Sequence, residues 1–498
     1  MKAERLRILV ELRPALDGHA GIPLASRLLF RALRRLDDFE VEGLLQSGTH
    51  ALAPGLPPES DCVEQAWTPD RRLNCLRKVV KTLERRPWGS NFSFAPMLLR
   101  RLRGREETLA RFDSASFREY IWARLFEKSL LSEDFDLVTQ AGFRVAQVPR
   151  AVMHSGRLLS LRPDHAIYPH LDTSDFDVMI AETPYPGRVS ERTRLVIRYH
   201  DSVPILLPRM TASGASQRAS YHCALKSNVK SEAWFVCVSN STKNDLLSLF
   251  PEVEARTVTI HHAISDQYFD EASAPGVATR IVMGRNRPGL LLGCSTGLDC
   301  SVSDNIGQDE GFQYLLIVST IEPRKNHLTL LAAWEQLRRE TFPAMKLVLV
   351  GSLGWHHGPI VERFRPWVQT GHVIALQNVP SPELRVLYKN AIGTVCPSLS
   401  EGFDLPGAEA LASGGVVVAS DIAVHREIYG DAAEYFDPKS PADLIRAIHA
   451  VVAEHRNLRR DDLLRNAARL SRRYREEAVL PQWKAFLSSA TSACKPNR

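Results

Sequence analysis

Long hydrophobic runs are missing from this chain. No stretch of about 18 or more apolar residues occurs, so the sequence predicts no membrane-spanning helix. The first residues, 1–7, are charged and include no apolar signal core. We therefore expect a cytoplasmic protein, with peripheral contact to the inner face of the membrane left open.

Paired cysteines and dinucleotide-binding glycines are also scarce. The eight cysteines are scattered, and neither a C-x-x-C pair nor a Cys/His ligand cluster is present. Cys294 and Cys300 are the closest pair, in a Gly/Ser-rich stretch, and reduced thiols are the better interpretation. No G-x-G-x-x-G follows a predicted strand, which argues against a nicotinamide-dependent dehydrogenase.

Charge of one sign is in small excess. The 63 basic and 57 acidic residues leave a net charge of +6, which does not indicate a nucleic-acid partner. The hydrophobic fraction of 44% and the charged fraction of 24% are ordinary for a globular protein. A chain of 498 residues exceeds what one hydrophobic core supports, so two domains are expected.

The most informative stretch that is present is 400–411, which reads SEGFDLPGAEAL. Apolar runs typical of strands, 392–397 and 416–419, lie on either side of it. A strand, a glycine turn and a short helix direct a helix N-terminus toward a ligand, and free N–H groups there favour a phosphate. The pattern predicts an anion-binding segment.

Glu401 and Glu409 in this stretch need separate tasks. Eight helical residues span about 12 Å, whereas retaining glycosidases hold their two carboxyl groups roughly 5 Å apart. The two glutamates suit opposite ends of one long ligand, such as the sugar and the ribose of a nucleotide sugar. The alternative is a pair of solvated charges on a helix face, which the intervening Gly-Phe-x-Leu-Pro disfavours.

Arg324 and Lys325 follow a predicted strand, 315–318, and precede a helical run, 328–337. Ligands bind at this position in open α/β sheets. Fixed cations stabilise a diphosphate leaving group as it gains negative charge, although a solvated basic pair at a helix start is the alternative.

These segments resemble family 4 retaining glycosyltransferases. The 400–411 stretch is similar to their E-x7-E motif, and four further segments match in order and spacing: 315–326, 345–351, 379–388 and 416–433. The resemblance implies an α/β GT-B fold, in which two Rossmann-like domains, each a doubly wound parallel sheet, face each other across a cleft. The Thr-Ile-Glu-Pro-Arg-Lys-Asn version of the second segment is similar to bacterial mannosyl- and rhamnosyltransferases of cell-surface polysaccharide (lipopolysaccharide) synthesis.

The resemblance also implies roles for the charged residues. Lys325 is expected to hold the donor diphosphate, with Arg324 as a helper. Glu409 is assigned to the ribose hydroxyls and Glu401 to hydroxyls of the donor sugar. No metal or other cofactor is expected, because cations of the protein replace it.

The residues between the two glutamates are assigned to the donor as well. Gly402 and Phe403 are expected to offer backbone N–H groups, and Leu405 is included in the donor site. Asp404 stands where many family members have glycine. It is expected either to repel a nearby phosphate or to cap the helix.

The N-terminal half resembles the family less closely. Gly21 lies in a loop that faces the acceptor and the donor phosphates in the family. His200 ends a predicted strand before a proline loop, and the resemblance implies contact with the donor sugar or the attacking hydroxyl. We therefore include His200, with Glu401 and Lys325, among the candidate catalytic residues.

Residues 60–160 match no known pattern and contain two basic clusters, 71–86 and 100–105. A basic surface with apolar neighbours suits an anionic membrane that carries a lipid-linked acceptor, although a solvated helical face is the better interpretation. Two Asp-x-Asp pairs, 134–136 and 175–177, suggest metal-dependent transfer, although use in turns or strand starts is the better interpretation.

The expected organisation has four parts. Residues 1–271 form the acceptor-side domain with a divergent basic insertion, and residues 272–311 form a linker with an insertion. Residues 312–475 form the nucleotide-sugar domain, and residues 476–498 form a helix that crosses back to the N-terminal domain. The expected activity is retaining transfer of a hexose or deoxyhexose, with mannose or rhamnose favoured, from a nucleotide sugar to a hydroxyl of a saccharide or lipid-linked saccharide. The alternatives are a GT-B epimerase or phosphorylase, or a non-catalytic scaffold subunit.

Overall fold

A computed structural model describes residues 5–16, 18, 21–57, 68–85, 104–157, 166–210, 214–286, 311–452 and 458–492. Its strands are β1 (Leu6–Glu11), β2 (Phe39–Leu45), β3 (Glu107–Thr108), β4 (Ala110–Phe112), β5 (Phe143–Val145), β6 (Leu171–Asp172), β7 (Val178–Ala181), β8 (Arg194–Tyr199), β9 (Trp234–Cys237), β10 (Thr257–Thr259), β11 (Tyr314–Val318), β12 (Lys346–Val350), β13 (Val373–Leu376), β14 (Gly393–Cys396), β15 (Val417–Ser420) and β16 (Ala433–Phe436).

Helices connect most of these strands. They are α1 (Arg13–Leu16), α2 (Ile22–Arg34), α3 (Pro69–Leu83), α4 (Arg118–Ile121), α5 (Phe135–Thr139), α6 (Arg150–His154), α7 (Val203–Leu206), α8 (Ala215–Lys230), α9 (Asn240–Leu249), α10 (Pro275–Arg285), α11 (His327–Glu340), α12 (Gly358–Gln369), α13 (Ser381–Asn390), α14 (Leu405–Ala412), α15 (Ala423–Tyr429), α16 (Pro441–Val451), α17 (Leu458–Leu470) and α18 (Glu476–Ser492).

The N-terminal domain is built on an eight-stranded sheet with the order β10-β9-β8-β7-β1-β2-β5-β4. Neighbouring strands are parallel except β4 and β5. The central strands are buried on both faces, as the near-continuous apolar sequence of β1 and β7 requires. Parallel strands bring the loops after β1, β7 and β8 to one edge of the sheet.

The C-terminal domain contains a parallel six-stranded sheet with the order β13-β12-β11-β14-β15-β16. From β11 the chain moves outward to β12 and β13, then returns to the other side of β11 at β14. This reversal makes a topological switch point between β11 and β14. Crevices at such points, beyond the carboxyl ends of the strands, are where ligands bind in open α/β sheets.

The region expected as a basic insertion belongs partly to the N-terminal core. Strands β4 and β5 extend the main sheet, and α3 buries Leu76, Val79 and Leu83 against the same core. The basic residues of α3 lie on its other, exposed face. In the second basic cluster only 104–105 lie within the described residues.

The segment expected as a linker with an insertion contains a helix. α10 occupies much of its first half, and Arg285 at the end of α10 pairs with Glu383 of α13. Residues 287–310, including both Cys294 and Cys300, lie outside the described part of the chain.

The C-terminal helix α18 lies against α2 of the N-terminal domain. Glu476 at its start accepts hydrogen bonds from Arg31 and, at 2.7 Å, from Arg35. Trp483 of the same helix is only 2% exposed. Within the described residues, no helix combines the length and the apolar character that crossing a membrane requires.

Candidate functional site

The site begins at the carboxyl end of β11. The chain leaves the strand, makes a single 3-10 turn over Pro323–Lys325 and enters α11 at His327. Asn326 between them adopts a left-handed conformation with φ of 54°, which asparagine tolerates better than most residues. Its side-chain amide donates to the carbonyls of Pro397 (3.0 Å) and Pro438 (2.8 Å), which fixes the turn beside the loop that follows β14.

The predicted cations and the first predicted glutamate meet in this crevice. Glu401 receives Arg324 Nη1 on Oε2 and Lys325 Nζ on Oε1, both at 2.6 Å. Arg324 also reaches Glu322 Oε1 at 3.0 Å and the Ser400 carbonyl at 2.9 Å. Residues far apart in sequence therefore form one buried charge network at the switch point.

The network is strongly polarised. Burial raises the pKa of Glu401, but Arg324 and Lys325 outweigh it, and the net shift is downward. Burial alone would lower the pKa of Lys325, yet its carboxylate neighbours Glu401 and Asp404 raise it. Both partners are therefore held in their charged forms, and it is the charged Lys325 that can attract a polyanion.

Asp404 does not cap the helix. It occupies the position before α14, but its carboxylate makes no hydrogen bond to the first turn, so the capping expectation was wrong. The carboxylate instead lies 3.5 Å from Lys325 Nζ, 3.3 Å from His425 Nε2 and 2.7 Å from the Tyr429 hydroxyl. The pKa of Asp404 is shifted well downward because Lys325 and His425 outweigh the effect of burial.

Glu409 occupies a separate buried position on α14. The Tyr388 hydroxyl donates to its Oε2 at 3.1 Å, and Tyr268 lies beside Tyr388 with ring centroids 6.1 Å apart. Burial raises the pKa of Glu409 to about 7, because the carboxylate has no cation comparable to those around Glu401. Near neutral pH Glu401 is therefore ionised, whereas Glu409 is divided between its protonated and ionised forms.

His200 lies on the facing edge of the N-terminal sheet, immediately after β8. Its Nε2 is 3.2 Å from Oε2 of Glu182, which also pairs with Arg198 at 3.2 Å. The imidazole stacks on His262 with ring centroids 5.3 Å apart. Although burial raises the pKa of Glu182, Arg198 and His200 shift it downward overall, so a carboxylate orients the His200 ring.

Gly402 and Phe403 lie at one of the points where the two domains meet. A Cβ placed on Gly402 would lie 1.8 Å from the His200 carbonyl oxygen, and the Thr242 hydroxyl donates to the Gly402 carbonyl at 3.2 Å. The Phe403 ring meets His262 edge-on at 5.0 Å. Leu405 is buried at the start of α14. Candidate donor-side residues thus lie directly against the candidate residue His200.

Glu427 adds a second contact across this junction. Its carboxylate accepts hydrogen bonds from the backbone N–H groups of Asn240 (2.7 Å) and Ser241 (2.9 Å) at the start of α9, and it lies 2.9 Å from His261 Nε2. The N-cap of α9 is Ser239, whose hydroxyl accepts from the Thr242 N–H.

Gly21 lies at the start of α2, on the edge where β1 ends. Its φ of 65° and ψ of −132° suit glycine, and among the described residues no heavy atom lies within 4 Å of a Cβ built on it.

The two Asp-x-Asp pairs are engaged elsewhere. Asp134 pairs with Arg31 at 3.3 Å, and Asp175 with Arg144 at 3.0 Å. Among the residues that the structure describes, no group of three or more His, Cys, Asp or Glu side chains is arranged to hold a metal ion.

Three contributors to the site escaped sequence reasoning. Glu182, Tyr429 and His425 act only through contacts with residues distant in sequence. Glu182 had one available signal, because it follows β7 directly, next to the strand that ends at His200. The other two lie on α15, which carries no motif that points toward Lys325.

Comparison with known proteins agrees with this geometry. Residues 302–470 match the family described as glycosyl transferases group 1. The chain is 27% identical over 262 residues to the serotype-specific mannosyltransferase WbdA of Escherichia coli, covering 51% of this chain and 29% of that protein. It is 38% identical over 125 residues to the O-antigen chain mannosyltransferase B of E. coli, covering 25% of this chain and 33% of that protein. The chain thus spans a third or less of the length of these relatives.

The solved structure of a sucrose-phosphate synthase from Thermosynechococcus elongatus superposes over nearly the whole chain. The TM-score is 0.56 at 15% sequence identity, and the match covers 98% of this chain and 100% of that one. A likeness at this identity concerns the fold alone, and it confirms the expected two-domain GT-B architecture. Residues 302–470 therefore match the glycosyl transferases group 1 family, within a chain that has the GT-B fold.

Proposed function

We propose that this protein is a retaining glycosyltransferase that moves a hexose from a nucleotide sugar to a hydroxyl of a saccharide or lipid-linked saccharide. One observation carries the proposal. Arg324 and Lys325 are held in charged form against Glu401, at the switch point of the C-terminal sheet and facing His200. Buried cations with an exchangeable carboxylate partner suit a ligand that brings both phosphates and sugar hydroxyls.

The roles follow from these contacts. The donor diphosphate replaces Glu401 as the partner of Arg324 and Lys325, and Glu401 then accepts hydrogen bonds from the sugar hydroxyls. Glu409, in its ionised form, accepts from the ribose hydroxyls. His200, oriented by Glu182, lies on the acceptor side of the cleft.

The chemical step is an exchange at the anomeric carbon. The bond from this carbon to the diphosphate oxygen breaks, and the acceptor oxygen forms the new bond on the same face. The acceptor proton passes to the departing phosphate oxygen, while Arg324 and Lys325 stabilise its charge. Isolation of a covalent glycosyl-enzyme from turnover would contradict this route.

Mannose is the donor sugar that we favour, with rhamnose second. Support comes from two mannosyltransferase relatives, although the chain matches only part of each. The O-antigen context of the second relative supports a glycan chain as acceptor. The protein's own cations take the place of a metal in this proposal, so activity is expected to persist in EDTA.

Thermal unfolding with ligands tests the donor site. GDP-mannose, dTDP-rhamnose, UDP-sugars and ADP-sugars are added in EDTA to the wild type and to the Lys325→Ala and Glu409→Ala variants. Saturation at about 100 times the dissociation constant stabilises the protein by about 2.7 kcal/mol. We expect a shift with one nucleotide class that both variants lose.

The matched control is Lys128→Ala, which removes an exposed lysine from the other domain. It is expected to respond to the donor like the wild type. A cooperative transition that no donor shifts in the wild type would contradict the donor assignment and favour a scaffold role.

We further propose that the exposed face of α3 contacts an anionic membrane at its cytoplasmic surface. Arg77, Lys78 and Lys81 project from this face beside Leu73, which is 42% exposed. Basic side chains around an apolar one suit the headgroup region of an anionic bilayer.

Vesicle sedimentation tests this surface. Wild-type protein is expected to pellet with phosphatidylglycerol vesicles at low salt and to stay free with phosphatidylcholine. The triple change of Arg77, Lys78 and Lys81 to glutamate should abolish pelleting. The same change at exposed Arg339, Arg465 and Arg469 of the other domain alters net charge equally and should leave pelleting intact. An equal loss of pelleting in both triple variants would contradict the assignment of membrane binding to the exposed face of α3.

A further inference from the structure

Asp404 holds an unusual backbone conformation in the middle of the charge network. Its φ of 65° and ψ of 72° lie in the left-handed region. Few residues with a Cβ adopt this conformation, and although aspartate tolerates it better than most, surrounding contacts must hold it there. Strain retained beside buried cations indicates that the side chain has a task there.

The contacts that enforce this conformation come from α15. The Tyr429 hydroxyl donates to the Asp404 carboxylate at 2.7 Å and lies 2.9 Å from the Asp404 carbonyl oxygen, and His425 Nε2 lies 3.3 Å from the carboxylate. Gly407 makes the arrangement sterically feasible, because a Cβ there would lie 2.2 Å from the Tyr429 hydroxyl oxygen. Asp404 is therefore immobilised by groups other than the cation it faces.

Glu401 differs from Asp404 in this respect. Glu401 forms ion pairs with Arg324 and Lys325, at 2.6 Å each. A bound diphosphate would form its own ion pairs with the same two cations. Lys325 Nζ lies 2.6 Å from Glu401 but 3.5 Å from Asp404. A polyanion that binds Arg324 and Lys325 would displace the Glu401 carboxylate from them, whereas Tyr429 and His425 keep the Asp404 carboxylate in place.

We propose that Asp404 is a positioning residue, which keeps the Lys325 ammonium in the crevice while Glu401 turns toward the donor sugar. The inference rests on the proposed function for its ligand, a nucleotide sugar. Its physical content, control of Lys325 by Asp404, is independent of any ligand. The competing expectation is the repulsion of phosphate by Asp404.

The first experiment uses the protein without ligand. Acetylation of Lys325 by acetic anhydride is followed by mass spectrometry across a pH series in Glu401→Gln and in Glu401→Gln/Asp404→Asn, so that the carboxylate of Glu401 no longer holds the ammonium group in either protein. Removing the fixed carboxylate should release the ammonium, and we expect Lys325 to react at least about threefold faster at the same pH. An unchanged rate would overturn the proposal, whatever the protein binds.

The second experiment measures binding of GDP and UDP by calorimetry. Asp404→Asn is expected to weaken the nucleoside diphosphate that binds the wild type by about tenfold. In a Lys325→Met background the same change should have no further effect, because residues that act through one another are not additive. Tighter binding in Asp404→Asn would show repulsion instead, and additive losses would show that Asp404 acts independently of Lys325.

Two variants separate positioning from folding. Asp404→Gly suits the left-handed backbone, so a native melt with weakened binding would exclude misfolding as the cause. Asp421→Asn is the matched control, since Asp421 is an exposed acid of the same domain that pairs with Arg426 at 2.7 Å. Wild-type protein that binds no nucleoside diphosphate would contradict the proposed function, and the acetylation result would still decide the role of Asp404.

Discussion

At the scale of single residues, the raised pKa of Glu409 predicts how the free energy of unfolding changes with pH. The pKa of about 7 in the folded protein exceeds the ordinary 4.5, so the native state binds a proton that the unfolded state lacks between these pH values. The free energy of unfolding therefore falls as pH rises through this window. The shift corresponds to about 3 kcal/mol once the pH is above 7.

Glu409→Gln removes this penalty. We expect the variant to match the wild type near pH 5 and to exceed its free energy of unfolding by up to about 3 kcal/mol at pH 8. Urea denaturation at both pH values measures the difference. Glu362→Gln, a change at an exposed carboxylate, is expected to show no such pH dependence. A difference that stays constant with pH would contradict the raised pKa.

The sequence was sufficient to predict most of the residues that form the site, but it did not predict which of them contact each other. Lys325 and Glu401 were identified from the strand ends and helix starts around them, a local pattern that short segments reveal. Their ion pair joins residues 76 positions apart in sequence, since 401 − 325 = 76. The left-handed conformation of Asp404 was not predicted, because it depends on contacts with Tyr429 and His425. No local sequence pattern connects those two residues to Asp404.

At the scale of elements, Glu427 stabilises a helix of the other domain. Its carboxylate accepts from two N–H groups at the start of α9 that lack partners within the helix. Glu427→Ala should lower the free energy of unfolding by about 1–2 kcal/mol, as loss of a helix cap does. Urea denaturation measures this, and small-angle scattering should show a larger radius of gyration as the domains loosen.

Two controls define that result. Glu427→Gln keeps an acceptor oxygen and should lose less than the alanine variant. Asp431→Ala removes an exposed acid nearby in sequence and should change neither readout. A full loss of stability with an unchanged radius would assign Glu427 to the packing of its own domain.

Elements were predictable in proportion to their burial and length. The predicted strand 315–318 agrees with β11 (Tyr314–Val318) to within one residue, because a buried run bounded by polar residues has little ambiguity. Strands β4 and β5 have three residues each and lie in the region where no pattern was recognised. Such short strands, at the sheet edge (β4) and next to it (β5), are specified by tertiary packing, which a single sequence does not display.

At the scale of the whole molecule, α18 ties the end of the chain to the first domain. Trp483 is nearly inaccessible and meets the Phe486 ring edge-on at 6.2 Å. Trp483→Ala should therefore cost about 3–5 kcal/mol, the usual effect of emptying a buried aromatic site. Hydrogen exchange should locate the loss in the N-terminal domain, in α2 and the strands beneath it.

The surface offers a control for this prediction. Leu458→Ala changes a side chain that is 75% exposed, so its effect is expected within about 0.5 kcal/mol. Loss of exchange protection confined to the C-terminal domain in Trp483→Ala would contradict the assignment of α18 to the N-terminal domain.

The contact between Gly402 and the His200 carbonyl determines how closely the two domains can approach each other. Because the missing side chain of Gly402 leaves room only for the His200 carbonyl, Gly402→Ala would place a methyl group as a wedge between the two halves. The variant should stay open, with a larger radius of gyration in scattering and a slower transfer step, while donor binding to the C-terminal half is retained. One carbon atom would then separate the two events that the wild type performs together: capture of the donor and assembly of the reaction chamber.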